Sequence, residues 1–351
     1  ANFTDLGQMK YLAALKYMYT HSTDWNTAWN WATSPGVIQD YVSGGTTFYY
    51  VNNSGISISS NNAIQWVPTS GGIAAHWNTT NWTDTLTMSS SVSARNPVDA
   101  SVKVTANATL TSNSFTINDN AWGGTTHHRS GIAVTGGTAT VNGTNTFTIN
   151  GTENNGILNS ATVNSSGSTF NIHGTAATSS TETKNVGINN SGTVTSTSDT
   201  FHVGNTTNGS ENRANIGILS TGTSASVTAS GSTFNVNAGP SHVSKPFFED
   251  ENNGILITGG ALTTRTNGGI ETTFNIDGYR NNGIRFDKGT GTSIDATFIV
   301  NGSNNNGVLM NGGSTTPPTA AVQYSTFTVN GSNNNGFHLK NDAGTSTITS
   351  S

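Results

Sequence analysis

The chain contains no cysteine, only 7 prolines, and few charges: 13 Lys and Arg against 18 Asp and Glu in 351 residues, a net charge of −5. Without cysteine there is no disulfide framework, no thiolate metal site and no thiol nucleophile. No apolar run approaches the roughly 18 residues of a membrane helix, so helical membrane insertion is not expected. Helix formers are scarce beyond the first 35 residues, which excludes a helix bundle or a doubly wound α/β enzyme. The acidic balance gives no bulk affinity for nucleic acid, and no specific nucleic-acid partner is expected. What abounds instead is Thr (59), Asn (47), Ser (41) and Gly (41), together 188 of 351 residues. Such composition often marks disorder. Here the charge is too low for a self-repelling coil, and 29 aromatic residues (14 Phe, 7 Trp, 8 Tyr) are available for burial.

Phe recurs at 115, 147, 170, 201, 234, 274, 298 and 327, at uneven intervals but with constant flanks. Ser or Thr always precedes it, and Ile or Val always stands two residues after it. Apolar residues in period two, with Thr and Asn between them, predict a strand with one buried face. A second marker follows each strand: Gly131-Ile132, Gly156-Ile157, Gly187-Ile188, Gly217-Ile218, Gly254-Ile255, Gly283-Ile284, Gly307-Val308 and Gly336-Phe337. Asn often precedes that Gly, as expected where a turn requires positive φ. A lone coil cannot bury its Phe, whereas stacked coils make a continuous ladder. The sequence therefore predicts an all-β, right-handed parallel β-helix of about ten coils, with Asn ladders on its outward positions.

The first residues differ. Thr4 or Asp5 caps a predicted helix through about Tyr19, with Met9, Leu12, Leu15 and Tyr19 on one face. Asp24 caps a second, with Trp25, Ala28, Trp29 and Ala32 on one face. Residues 1–44 are expected to form a helical cap over the open solenoid end. The alternative role for this Trp cluster is a ligand platform. Residues 45–351 form the solenoid, one continuous domain with regular coils over about 111–345; Thr47 to Ile56 begins it as a degenerate coil, and 63–110 supply one or two more. No signal peptide is visible at Ala1, and Thr345 to Ser351 resembles the start of a Ser/Thr-rich stalk.

The distances from Phe to the following Gly are 16, 9, 17, 16, 20, 9, 9 and 9 residues. Nine is a tight corner, and the four longer ones insert loops at the same corner, on one side of the rod. The inserted loops and that corner carry Trp122, His127, His128, Arg129, Lys184, Arg213, His242, Lys245, Phe247, Phe248, Tyr279 and Arg280. With Arg285 beyond the corner, these residues are the candidate lining of an anion-recognising groove with aromatic walls. The alternative is solvated loop tips, some paired with Glu182, Glu211 or Glu251. Asp277, Asp287 and Asp295 are placed to neutralise Arg285 and Arg265.

Glu271 and Asp295 both stand three residues before a Phe, on neighbouring coils. That places them about 5 Å apart, a separation that suits a retaining glycosidase. The polygalacturonase motifs and a pectate-lyase calcium cluster are absent, so no catalytic residue is assigned. Adjacent His127-His128 is no metal signature, and neither metal nor cofactor is expected. Thr-x-Thr triplets occur, but the sequence does not align them into a flat array.

The Cys-free, helix-capped pattern of [Ser/Thr]-Phe-x-[Ile/Val] and Asn-Gly-Ile repeats over about 115–340 resembles the binding region of serine-rich repeat protein adhesins from gut lactobacilli. The resemblance implies a pectate-lyase-like superhelix without lyase activity, and a secreted, cell-wall-anchored, glycosylated adhesin, taken here to be a monomer. It also implies host mucin-type glycans or acidic polysaccharides such as pectin as partners. A polysaccharide-degrading β-helix enzyme and a passive spacer are the alternatives. Protonation of His127, His128 and His242 would strengthen binding of anionic glycans in acid.

Overall fold

Alternating Phe and Ile/Val does place one face of each strand inside, and the coil closes because each strand pairs with its own counterpart one coil away. The computed structural model describes residues 5–21, 24–33, 38–43, 46–51, 56–58, 64–66, 84–88, 91–94, 100–104, 107–111, 114–119, 130–151, 153–173, 185–204, 214–237, 251–311, 317–340 and 346–349. Three sheets run the length of a right-handed parallel β-helix, the hand that parallel crossovers adopt almost without exception. The Phe sheet has nine strands, from Ser91–Ala94 through Ser114–Asp119 and Thr146–Gly151 to Thr326–Val329. The Gly sheet, with strands such as Asn155–Asn159 and Asn282–Phe286, has ten. A third, the Val sheet, has eleven, including Thr162–Ser166, Thr193–Thr197 and Ala261–Arg265.

Register is set by identical residues facing each other. Phe115, Phe147, Phe170, Phe201, Phe234, Phe274, Phe298 and Phe327 pair in sequence. Their rings stack at 4.6–4.9 Å, within 9° of parallel. Each buried Phe contributes about 1.5–3 kcal/mol by burial and about 0.5–1.5 more by ring contact. Ile157, Ile188, Ile218, Ile255 and Ile284 fill the core from the Gly sheet, and Val163, Val194, Val227 and Leu262 from the Val sheet.

The marker glycines have a different cause from the one the sequence suggests. None of Gly156, Gly187, Gly217, Gly254, Gly283 and Gly307 has positive φ. A Cβ on any of them would stand 2.4–2.7 Å from the next coil's Gly carbonyl and against a Phe ring. Space, not backbone conformation, demands glycine there. The left-handed residues lie earlier in the corner: Gly151, Gly278, Gly302 and Gly331, and the non-glycines Glu153, Ala214, Arg280, Asn304 and Asn333.

Asn two residues before the marker Gly, followed in most coils by a second Asn, builds two ladders. Asn154, Asn185, Asn215, Asn252, Asn281 and Asn305 are buried. The backbone N–H of Asn154 donates to Asn185 Oδ1 at 2.9 Å, and Asn215 likewise to Asn252. Asn281 donates to Asn305 at 2.7 Å, and Asn305 to Asn334 at 2.8 Å. The following Asn of each pair links by side chains: Asn335 to Asn306 at 3.0 Å, Asn306 to Asn282 at 2.8 Å, Asn282 to Asn253 at 3.0 Å. Of the outward Asn positions after the Phe strand, Asn330 and Asn301 make the expected contact at 3.0 Å. The longer ladders lie at the corner instead.

At the N-terminal end, helices Leu6–His21 and Trp25–Ala32 form as predicted, with Asp5 and Asp24 accepting the N–H groups of Gln8 and Thr27. Ala13, Ala14, Ala28 and Ala32 pack together with Tyr17, Met18, Trp25, Trp29, Trp31 and Ile38, a core separate from that of the coils. The expected degenerate coil from Thr47 is not one. Thr46–Val51 pairs antiparallel with Ile38–Ser43. Over 84–111 the earlier coil does form: Asp84–Met88, Ser91–Ala94 and Ala100–Val104 pair parallel with the next coil.

Candidate functional site

Of the residues predicted to line a groove, Trp122, His127, His128, Arg129, Lys184, Arg213, His242, Lys245, Phe247 and Phe248 lie outside the described residues. Tyr279 and Arg280 lie on the tight corner between the Phe and Gly sheets. The backbone there is held by an Arg280 N–H bond to Ser303 O at 3.2 Å, with Arg280 itself left-handed at φ 55°. The guanidinium stands 5.1 Å from the centre of the Tyr279 ring, within cation–π range.

Arg285 is placed differently, on the outer face of the Gly sheet, and it is committed to carboxylates. Its Nε donates to Asp287 Oδ1 at 2.8 Å, its Nη2 to Asp287 Oδ2 at 3.2 Å, and its Nη1 to Glu251 Oε2 at 3.4 Å. Asn282 also donates to Glu251 Oε2, at 2.7 Å, and Asn311 to Asp287 Oδ1, at 3.0 Å. With two carboxylates on one guanidinium, the cluster carries a net negative charge and offers nothing to an anion. Of Asp277, Asp287 and Asp295, expected to neutralise this charge, Asp287 pairs with Arg285; its second carboxylate is Glu251, expected instead beside the loop cations.

The carboxylate pair is in register, since Thr272 faces Ala296 and the preceding residues are Glu271 and Asp295. Each is held by a hydroxyl: Glu271 Oε2 accepts from Thr297, and Asp295 Oδ2 from Thr266 at 3.4 Å. Glu271 is exposed and Asp295 half-buried.

An ordered polar surface on the Phe sheet was not singled out by sequence reasoning. On the outer face of the Phe sheet, Thr146, Thr169, Thr200, Thr233, Thr273, Thr297 and Thr326 stand in one row. Beside it runs Thr148, Asn171, His202, Asn235, Asn275, Ile299 and Thr328. Asn275 donates to Asn235 Oδ1 at 2.9 Å, and Asn235 meets His202 Nδ1 at 3.4 Å. Beyond these lie Asn150, His173, Asn237, Asp277, Asn301 and Asn330, where the strands meet the corner that bears the insertions. The signal was the invariant hydroxyl residue before each Phe, which reads as mere strand flank until register is known. The Thr-x-Thr triplets of the Val sheet are aligned as well, contrary to expectation: Thr138, Thr162 and Thr193 share a row, as do Thr140, Asn164, Thr195, Thr228 and Thr263.

At the foot of the insertions, Ser130 Oγ, His173 Nδ1 and the Asn215 side-chain amide are buried with no hydrogen-bond partner among the described residues. Burial, aided by repulsion from His202, holds the His173 pKa below the ordinary histidine range against a Gly204 backbone hydrogen bond. His173 is therefore a weaker source of positive charge than an ordinary histidine. The groove histidines invoked for acid-strengthened binding lie outside the described residues.

No family model, curated protein or solved structure matches this chain. Among the described residues, no helix is long and apolar enough to cross a membrane.

Proposed function

We propose that this chain is the glycan-binding region of a secreted, wall-anchored bacterial adhesin, and that it holds an extended sugar chain along the outer face of the Phe sheet. One observation supports this reading above the others. The seven-residue Thr row and its Asn/His neighbour repeat once per coil, carrying His202 and no Lys or Arg. The repeat follows the ring spacing beneath, 4.6–4.9 Å, comparable to one sugar unit in an extended chain. Thr and Asn present donors and acceptors together, which suits sugar hydroxyls. β-Branched Thr side chains in strands are stiff, so little rotamer entropy is lost on contact. Half-buried Arg280 at the corner, its guanidinium over the Tyr279 ring, is a candidate contact for the acidic sugars of mucin or pectin. In this role the chain binds a polymer without altering it.

Binding to an array of mucins and of neutral and acidic polysaccharides at pH 4 and 7.4, with product analysis on every hit, tests this. The expected outcome is binding without product, weakened about tenfold by removing one bidentate contact in the double variant Asn235→Ala, Asn275→Ala. The register of Glu271 and Asp295 gives the enzyme reading its own outcome: released product, lost in Glu271→Gln or Asp295→Asn. Silence on all glycans leaves the spacer.

A further inference from the structure

One ionisable side chain stands inside the coil stack. The position two residues before each Phe points inward, where Asn145, Ser168, Asp199, Ser232, Thr272 and Ala296 are all buried. Only Asp199 can carry charge, and it is 1% exposed.

Its surroundings are uncharged on every side. From the preceding coil, the Ser168 N–H donates to Asp199 Oδ1 at 2.8 Å, and Ser165 donates to Ser168 Oγ at 3.3 Å. From its own coil, the Ser196 hydroxyl donates to Asp199 Oδ2 at 2.8 Å. From the following coil, Ser232 Oγ accepts the Asp199 N–H at 3.3 Å and lies 3.1 Å from Ser196 Oγ. Among the described residues, no cation balances the carboxylate.

A fourth element roofs this corner. Where neighbouring coils join the Val and Phe sheets through Ser198-Asp199 or Gly231-Ser232, one coil inserts residues 266–271 between Ala261–Arg265 and Thr272–Asp277. Asn267 and Ile270 pair across Gly268-Gly269, both left-handed. The hairpin folds back over two coils: Asn267 Nδ2 donates to Ser198 Oγ at 3.3 Å, and a Cβ on Gly231 would stand 3.0 Å from that of Asn267. Its flanking charges, Arg265 and Glu271, are exposed, and Glu271 is held by Thr297.

We propose that Asp199, roofed by the 265–271 hairpin and faced only by serines, makes the middle of the solenoid firmer in mild acid than at neutral pH. Burial raises its carboxyl from 3.8 to about 6, against the hydrogen bonds from Ser168, Ser196 and Ser165. A group whose folded pKa is raised contributes stability in full below its unfolded value, and loses it as pH rises through the folded one. The window is therefore pH 4 to 6. Above it, the folding equilibrium constant is lower by roughly a hundredfold through this group alone. The shift in His173 has the opposite sign: its contribution is lost as pH falls from 6.5.

Urea unfolding of the wild type and Asp199→Asn, from pH 4 to 8, tests the proposal. The two curves of stability against pH coincide near pH 4 and diverge above 6, with Asp199→Asn the more stable by up to about a hundredfold. Other groups, His173 included, titrate alike in both proteins and cancel in the difference. Asp199→Ser, the residue of both adjacent coils, gives the same divergence if the amide packs poorly. Replacing residues 266–271 with Gly-Ser admits water to the corner and shrinks the divergence. Variants that parallel the wild type at every pH, or that are less stable at pH 8, overturn the proposal. An undiminished divergence without the hairpin overturns the roof.

Discussion

Four corners of the solenoid turn in nine residues from Phe to Gly, and four take sixteen to twenty. Seven of the eight end in the same way, the exception being the first long one, with Arg129-Ser130 before its Gly. Asn154, Asn281, Asn305 and Asn334 close tight corners; Asn185, Asn215 and Asn252 close long ones, and the marker Gly follows two residues later. Corner length is thus free, while the point where the chain re-enters the stack is fixed. Stability resides in the re-entry, where an Asn replaces the hydrogen bonds a corner would lose and a Gly lets two backbones approach. Loop closure is inexpensive by comparison, since doubling a loop costs only about 0.6 kcal/mol.

The comparison is broken most severely from beneath. Phe201→Ala removes one ring from the column, with Phe170 and Phe234 stacked at 4.6 Å on either side. It is expected to cost about 3–5 kcal/mol, read as a fall in the urea midpoint. Next comes the re-entry itself. Asn305→Ala leaves the Asn281 N–H and the Asn301 carbonyl without their partner, while the Gly278 carbonyl keeps only the Ser303 N–H, at about 1–3 kcal/mol per buried orphan. A loss below 0.5 kcal/mol would remove the ladder from the account. The smallest effect sharpens the contrast: shortening 174–184 by eight residues, to the Phe-to-Gly spacing of nine seen from Phe298 to Gly307, changes stability by less than about 1 kcal/mol. The same exchange abolishes any binding that depends on the insertion.

Much of the fold is legible in the sequence because its signal is local. Phe, its hydroxyl neighbour and its Ile or Val survive any loop length, so the coil stack and its register follow. Asp24 and the Trp25, Ala28, Trp29, Ala32 spacing likewise specify a capped helix. Thr46–Val51 misleads because alternating aromatics read alike in a coil and in a hairpin, and Gly44-Gly45 before it is the stronger signal. The marker glycines misled through cause: a sequence tells of glycine's φ freedom, while the approach of the next coil's carbonyl appears only in three dimensions. Arg285 looks like a free cation until Glu251, thirty-four residues away, is folded against it. Asp199 is invisible for the converse reason, since an acid between Ser198 and Thr200 reads as surface.

The parallel register has a mechanical consequence. Every strand of the regular coils pairs only with neighbouring coils, so the hydrogen bonds of the three sheets point along the rod. Tension along the rod is borne by one coil boundary at a time, and the terminal coil peels before the next is loaded. Each peeled coil releases 23 to 40 residues, the intervals between successive Phe, or on the order of 10 nm of extended chain. A tether built in this way yields by lengthening in steps under a pull, and it keeps the remaining coils folded while it does so.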